Sequence, residues 1–114
     1  MKIAMPLNKG KINEHFGSSR EFIILEIYNG KIIDKKIIAN EIVHNRGGLA
    51  QFLKEEGVEV VIAKGISRPM AETLYYEGLY LITGAEGEVE RIVEDFLSGQ
   101  LVSRPVVCAC GGHN

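Results

Sequence analysis

Hydrophobic and polar positions follow two different rhythms along this chain. Up to about residue 40 the apolar stretches are short and rich in Ile. Residues 2–6 form a brief apolar segment that Pro6 is expected to close, because proline has no N–H to give a central ladder. Residues 22–28 are apolar except for Glu26, the pattern of a strand buried on both faces. Asn29-Gly30 follows directly, a pair that accepts positive φ at both centres of a type I′ turn. Residues 31–38 are therefore expected to run back antiparallel. Asp34, Lys35 and Lys36 interrupt their apolar pattern, as suits an edge strand protected against further pairing.

From residue 46 helix and strand alternate. Leu49, Ala50 and Leu53 share one helical face, and Gly57 suits the stop. Residues 58–63 read as a central strand broken only by Glu59. Ser67 is placed to cap a helix with Pro69 in its first turn and Gly78 at its end. Residues 79–83 form the next strand. Val89, Ile92, Val93, Phe96 and Leu97 make the clearest amphipathic stripe, ended by Gly99. The order is βββαβαβα. With right-handed crossovers it predicts an α/β fold, a five-stranded mixed sheet in the order 3-2-1-4-5 with flanking helices. Residues 1–104 are expected to form one domain and 105–114 a Cys/His-containing tail. The carboxyl ends of the first, third, fourth and fifth strands then share one rim, built from residues 7–19, 39–45, 64–67 and 84–87. Ligands of open α/β sheets bind outside carboxyl ends, where strand order reverses, here between the first and fourth strands.

Composition narrows the function classes. Of 114 residues 46% are hydrophobic and 25% charged, an ordinary folded domain rather than a disordered chain. Thirteen Lys and Arg against 15 Asp and Glu leave a formal charge of −2, so no nucleic-acid partner is expected. No apolar run approaches the ~20 residues of a membrane span, and the first ten residues carry no secretory core. A cytoplasmic protein with no membrane partner is the expectation. Both cysteines, Cys108 and Cys110, lie in the last seven residues, which excludes a disulfide framework.

The predicted rim carries His15, Phe16, Gly17, Arg20, His44, Asn45, Arg46 and Arg68. Asn45-Arg46-Gly47-Gly48 opens a helix, where free N–H groups favour an anion. Two imidazoles and several guanidiniums around one cleft suit an anionic ligand or a metal cluster. Each also reads as an ordinary loop residue, but His15 is followed by Phe16 and Gly17, which suggests a tight, half-buried turn. In the tail, Cys108, Cys110 and His113 place two thiols and an imidazole within six positions, a set that suits zinc or iron but falls short of a closed four-ligand site. Enzyme readings fare worse. The strand order is also that of ribonuclease-H-like nucleases, yet the first strand offers no carboxylate for two-metal chemistry. No dinucleotide fingerprint or P-loop is present. Ser18 and Ser19 stand near His15, but no oriented triad can be assembled.

With these residues assembled, the chain resembles the dinitrogenase iron–molybdenum cofactor biosynthesis family over nearly all of residues 1–104. The resemblance rests on the opening Met1-Lys2-Ile3-Ala4-Met5-Pro6, His15-Phe16-Gly17 followed by Phe22-Ile23-Ile24, and Asn40 before a glycine-led helix. It continues through Gly57-Val58-Glu59-Val60-Val61-Ile62, the Gly65-Ile66-Ser67 turn, Leu74 with Gly78-Leu79, and Gly99-Gln100-Leu101. The resemblance implies a ribonuclease-H-like sheet and binding rather than catalysis. Its relatives hold iron–sulfur or iron–molybdenum cofactor precursors and pass them between donor and acceptor proteins. It implies His15 as a cluster contact and raises the standing of Cys108, Cys110 and His113, because small relatives also end in Cys/His-rich tails. Phe16, Gly17 and His44 are expected beside His15 in the cofactor-binding rim, where Arg46 and Arg68 would offset the cluster's charge. The loop Asn8-Lys9-Gly10-Lys11 departs from the pattern, being short and basic where many relatives are acidic and longer. A regulatory or interaction module binding a small anion or a partner at the same rim is the alternative expectation. Oligomeric state is left open.

Overall fold

Asn29 and Gly30 both adopt positive φ, 53° and 74°, and the tight turn they make folds the chain back on itself as their sequence anticipates. The computed structural model describes residues 1–40 and 48–101. The strands are β1 (Lys2–Asn8), β2 (Lys11–Ile12), β3 (Glu21–Tyr28), β4 (Lys31–Ala39), β5 (Val58–Ile62) and β6 (Tyr80–Ile82). The helices are α1 (Leu49–Glu55), α2 (Arg68–Tyr76) and α3 (Val89–Leu97), with a 3-10 turn at Phe16–Ser18. His44, Asn45, Arg46, Cys108, Cys110 and His113 lie outside the described residues.

The sheet is mixed and has helices packed on it. It has six strands rather than five, in the order β4-β3-β1-β5-β6 with β2 paired to β1 alone. The added strand moves every later number up by one. It exists because Lys9 and Gly10 take φ of 51° and 83°, a two-residue turn that pairs Leu7 with Ile12 and Asn8 with Lys11. Nothing but Gly10 signals that turn in the sequence, since lysine seldom adopts positive φ. Pro6 corrects a second expectation. It lies inside β1 opposite Phe22 instead of closing the strand. Pairing with β5 involves only Lys2, Ile3 and Ala4, so no ladder donor is lost at Pro6.

Alternation along β1 sorts the core onto two faces. Ala4 joins Phe22, Ile24, Val61, Phe52, Leu53 and Leu74 beneath α1 and α2. Ile3 and Met5 join Ile23, Leu25, Val60 and Ile62 beneath Val89, Ile92 and Val93 of α3. Ile3, Ala4 and Met5 are all 0% exposed, as a strand covered on both sides requires. β4 is the edge strand that its charges announce. Lys35 reaches Glu90 at 3.0 Å and Lys36 reaches Glu56 at 2.8 Å, strapping the edge toward helices on opposite faces. α2 begins as predicted, the Met70 N–H donating to the Ser67 hydroxyl at 3.4 Å.

Candidate functional site

The rim at the carboxyl ends of β1, β5 and β6 is built by short backbone bridges rather than by side chains. After β2, the segment Glu14–Phe16 runs parallel to the end of β5. The Gly65 N–H donates to the Glu14 carbonyl at 3.0 Å, and the Phe16 N–H donates to the Gly65 carbonyl at 2.9 Å. On the other side, the Gly84 N–H donates to the Lys64 carbonyl at 3.0 Å. Three loops far apart in sequence are thereby held edge to edge.

His15 sits at the centre of this arrangement. Its own carbonyl accepts from Asn13 Nδ2 at 2.9 Å, Ser19 Oγ at 3.1 Å, Ser18 Oγ at 3.3 Å and the Ser18 N–H at 3.3 Å. Ser19 is buried and also accepts from Asn13 Nδ2 at 3.0 Å, while Asn40 Nδ2 donates to its carbonyl at 3.0 Å. Phe16 turns inward, 1% exposed, with its ring 5.4 Å from that of Phe22. These contacts determine the backbone on both sides of His15, leaving its side chain half-buried against a cleft of about 670 Å³. Asn8, Lys11, Asn13, Glu14, Lys64, Glu86 and Gly87 line the same cleft.

The electrostatics of this cleft centre on Lys64. Its ammonium bridges Glu86 at 3.2 Å and Glu14 at 3.3 Å. The hydrogen bond to Glu86, then that to Glu14, raises the Lys64 pKa above its ordinary value of 10.5. This bridge ties the loop before His15 to the loop before α3. Both loops are legible in the sequence, but nothing local to Glu14, Lys64 or Glu86 marks them as partners. Glu86 in particular reads as a solvated helix end, and only the fold sets it across from Lys64.

The other expected residues fall in several places. Phe16 belongs to the core and presents no ring to the cleft. Gly17 is exposed, with no positive φ and nothing within 4 Å of where a Cβ would stand. The fold therefore places no demand for glycine there. Arg68 is the exposed first residue of α2 and is not among the residues lining the His15 cleft. Arg20 is exposed and lines a second, adjoining cleft. His44 and Arg46, with the tail residues Cys108, Cys110 and His113, lie outside the described residues. Among the described residues no group of three or more His, Cys, Asp or Glu side chains is placed to hold a metal ion. Among the described residues, His15 brings an imidazole to this rim. No helix among them is long and apolar enough to cross a membrane.

Comparison with known proteins adds to this geometry. A family model described as dinitrogenase iron–molybdenum cofactor matches residues 1–99. The protein MJ0580 of Methanocaldococcus jannaschii is 30% identical over 106 residues, covering 89% of each chain. Among solved structures, PH0822 superposes with a TM-score of 0.81 at 24% identity, covering 92% of this chain and 96% of that one. The apo form of the orange protein from Desulfovibrio gigas superposes at 0.73 with 18% identity, covering 91% and 92%. At such identities the two structures show a shared fold.

Proposed function

The chain belongs to the dinitrogenase iron–molybdenum cofactor family, and from that premise we propose that it carries an iron–sulfur or iron–molybdenum-type cluster, or a precursor of one, between donor and acceptor proteins. The observation that supports this reading most is the placement of His15. Its backbone is locked to Gly65 and to the Asn13-Ser18-Ser19 hydrogen bonds, while its side chain lines an open cleft. A neutral imidazole donates a lone pair to iron or a kindred metal. A carrier needs few and exchangeable ligands, since a fully coordinated site would hold its cargo too firmly to pass on.

Binding is favoured over catalysis by what the neighbouring hydroxyls do. Ser18 Oγ and Ser19 Oγ both donate to the His15 carbonyl. They serve the loop, whereas an activated nucleophile is hydrogen-bonded to its base. In this proposal His44 is a further contact to the cargo, and Arg46 and Arg68 offset its negative charge. Cys108, Cys110 and His113 act as auxiliary or transfer ligands, binding zinc or iron when no cluster is held.

Anaerobic reconstitution tests the reading. The full chain is expected to gain visible absorbance, and His15→Ala to lose most of it. Unchanged absorbance in that variant removes His15 from the proposal. Elemental analysis of oxygen-free preparations, with and without residues 106–114, is expected to show less retained metal in the shorter chain.

A further inference from the structure

Lys9 stands out twice. With Asn29 it is one of two non-glycine residues at positive φ among those described, 51° against 53°. Asn29 is the residue type such turns prefer, and lysine is not. A lysine at a position the backbone disfavours points to work for its ammonium at the rim. Lys9 also lines a cleft of about 370 Å³ together with Arg20, Asn8, Asn13, Ser18 and Glu21. Lys35, Lys36 and Lys64 all find carboxylates, yet neither Lys9 nor Arg20 makes an ion pair among the described residues. Two cations thus face one cleft with a single carboxylate, Glu21, on its wall. Asn8 gives one amide hydrogen to Asn13 Oδ1 at 3.4 Å and keeps a second to donate. Asn8 and Asn13 line this cleft and that of His15, so the two adjoin.

We propose that the cleft between Lys9 and Arg20 is an oxyanion site, holding a tetrahedral anion by charge and by the Asn8 amide. Its position beside His15 places that anion against the cargo, a part of the inference that rests on the carrier reading. A guanidinium and an ammonium lining one cleft suit an anion with several acceptor oxygens, because each donor finds its own.

Thermal unfolding of the full chain in inorganic phosphate or in molybdate, against chloride at equal ionic strength, tests the site. Either oxyanion is expected to raise the Tm, since a ligand that binds only the native state stabilises it. Lys9→Asn and Arg20→Gln are each expected to weaken the apparent affinity about tenfold, the scale of one lost charge-assisted hydrogen bond. Lys9→Asn preserves the turn, because Asn29 already occupies that conformation. No rise beyond chloride, or wild-type affinity in both variants, overturns the site. His15→Ala is expected to keep the rise while losing cluster absorbance. A full rise in a wild-type chain that gains no absorbance leaves the oxyanion site standing and removes the carrier reading. Phosphate is expected to lower the absorbance of the reconstituted chain; absorbance indifferent to phosphate overturns the placement beside the cargo and assigns the site to a free anion.

Discussion

Phe16 sets where the neighbouring imidazole stands, being 1% exposed and packed on Phe22. Phe16→Ala is expected to cost about 3–5 kcal/mol, as for other buried aromatic truncations, measured by urea unfolding. Cluster retention should fall with it, since the His15 loop loses its inward anchor. Lys9→Asn is expected to act the other way and raise stability by about 0.5 kcal/mol, because asparagine tolerates the left-handed region that lysine resists. A stabilised variant that binds its ligand less well marks a residue kept for function. Lys64 yields a pH expectation with a definite sign. Its folded pKa is raised, so its tie to Glu86 and Glu14 is fully present below 10.5 and lost as pH climbs through the higher folded value. With both carboxylates ionised, Lys64→Met should therefore speed hydrogen exchange in the Glu14–Phe16 segment near neutral pH, and the difference should fade as pH climbs past the raised Lys64 value. His15 itself was legible as a candidate from its neighbours Phe16 and Gly17. Lys64 was not, because its partners lie 50 and 22 positions away, and no local pattern encodes such a meeting.

Between strands and helices, the hairpin of β1 and β2 is the piece that positions the rim. The Ile12 N–H donates to the Gly87 carbonyl at 2.9 Å, and the Val89 N–H to the Gly10 carbonyl at 3.1 Å, so β2 clips onto the start of α3. Gly87 holds φ of 104° with open space around it. Gly87→Ala should thus cost about 1 kcal/mol or more from backbone strain alone, read as a lowered Tm. At the sheet edge the opposite holds. Ile37 is 57% exposed on β4, so Ile37→Thr should change stability by less than about 0.5 kcal/mol in the same assay. Element types and sequence positions were readable wherever the apolar period was sustained, as in α3, or wherever turn chemistry was standard, as at Asn29-Gly30. β2 escaped notice because it is two residues long and enters through a lysine in an unfavourable conformation.

For the molecule as a whole, one sheet is shared by two apolar layers, and β1 contributes to both. Such a core should melt as a unit, with far-UV and near-UV circular dichroism giving coincident transitions. The amino-acid sequence alone determined that β3 is buried on both faces, that β4 lies at an edge, and that helices cross over between parallel strands. Those properties follow from hydrophobic period, charge placement and chain handedness, all of which are local or nearly so. Only the tertiary structure decided which side chains meet at the rim. Loops from the ends of β2, β5 and β6 converge there through backbone bridges, and it is those bridges, between residues far apart in sequence, that bring Lys64 to its two carboxylates.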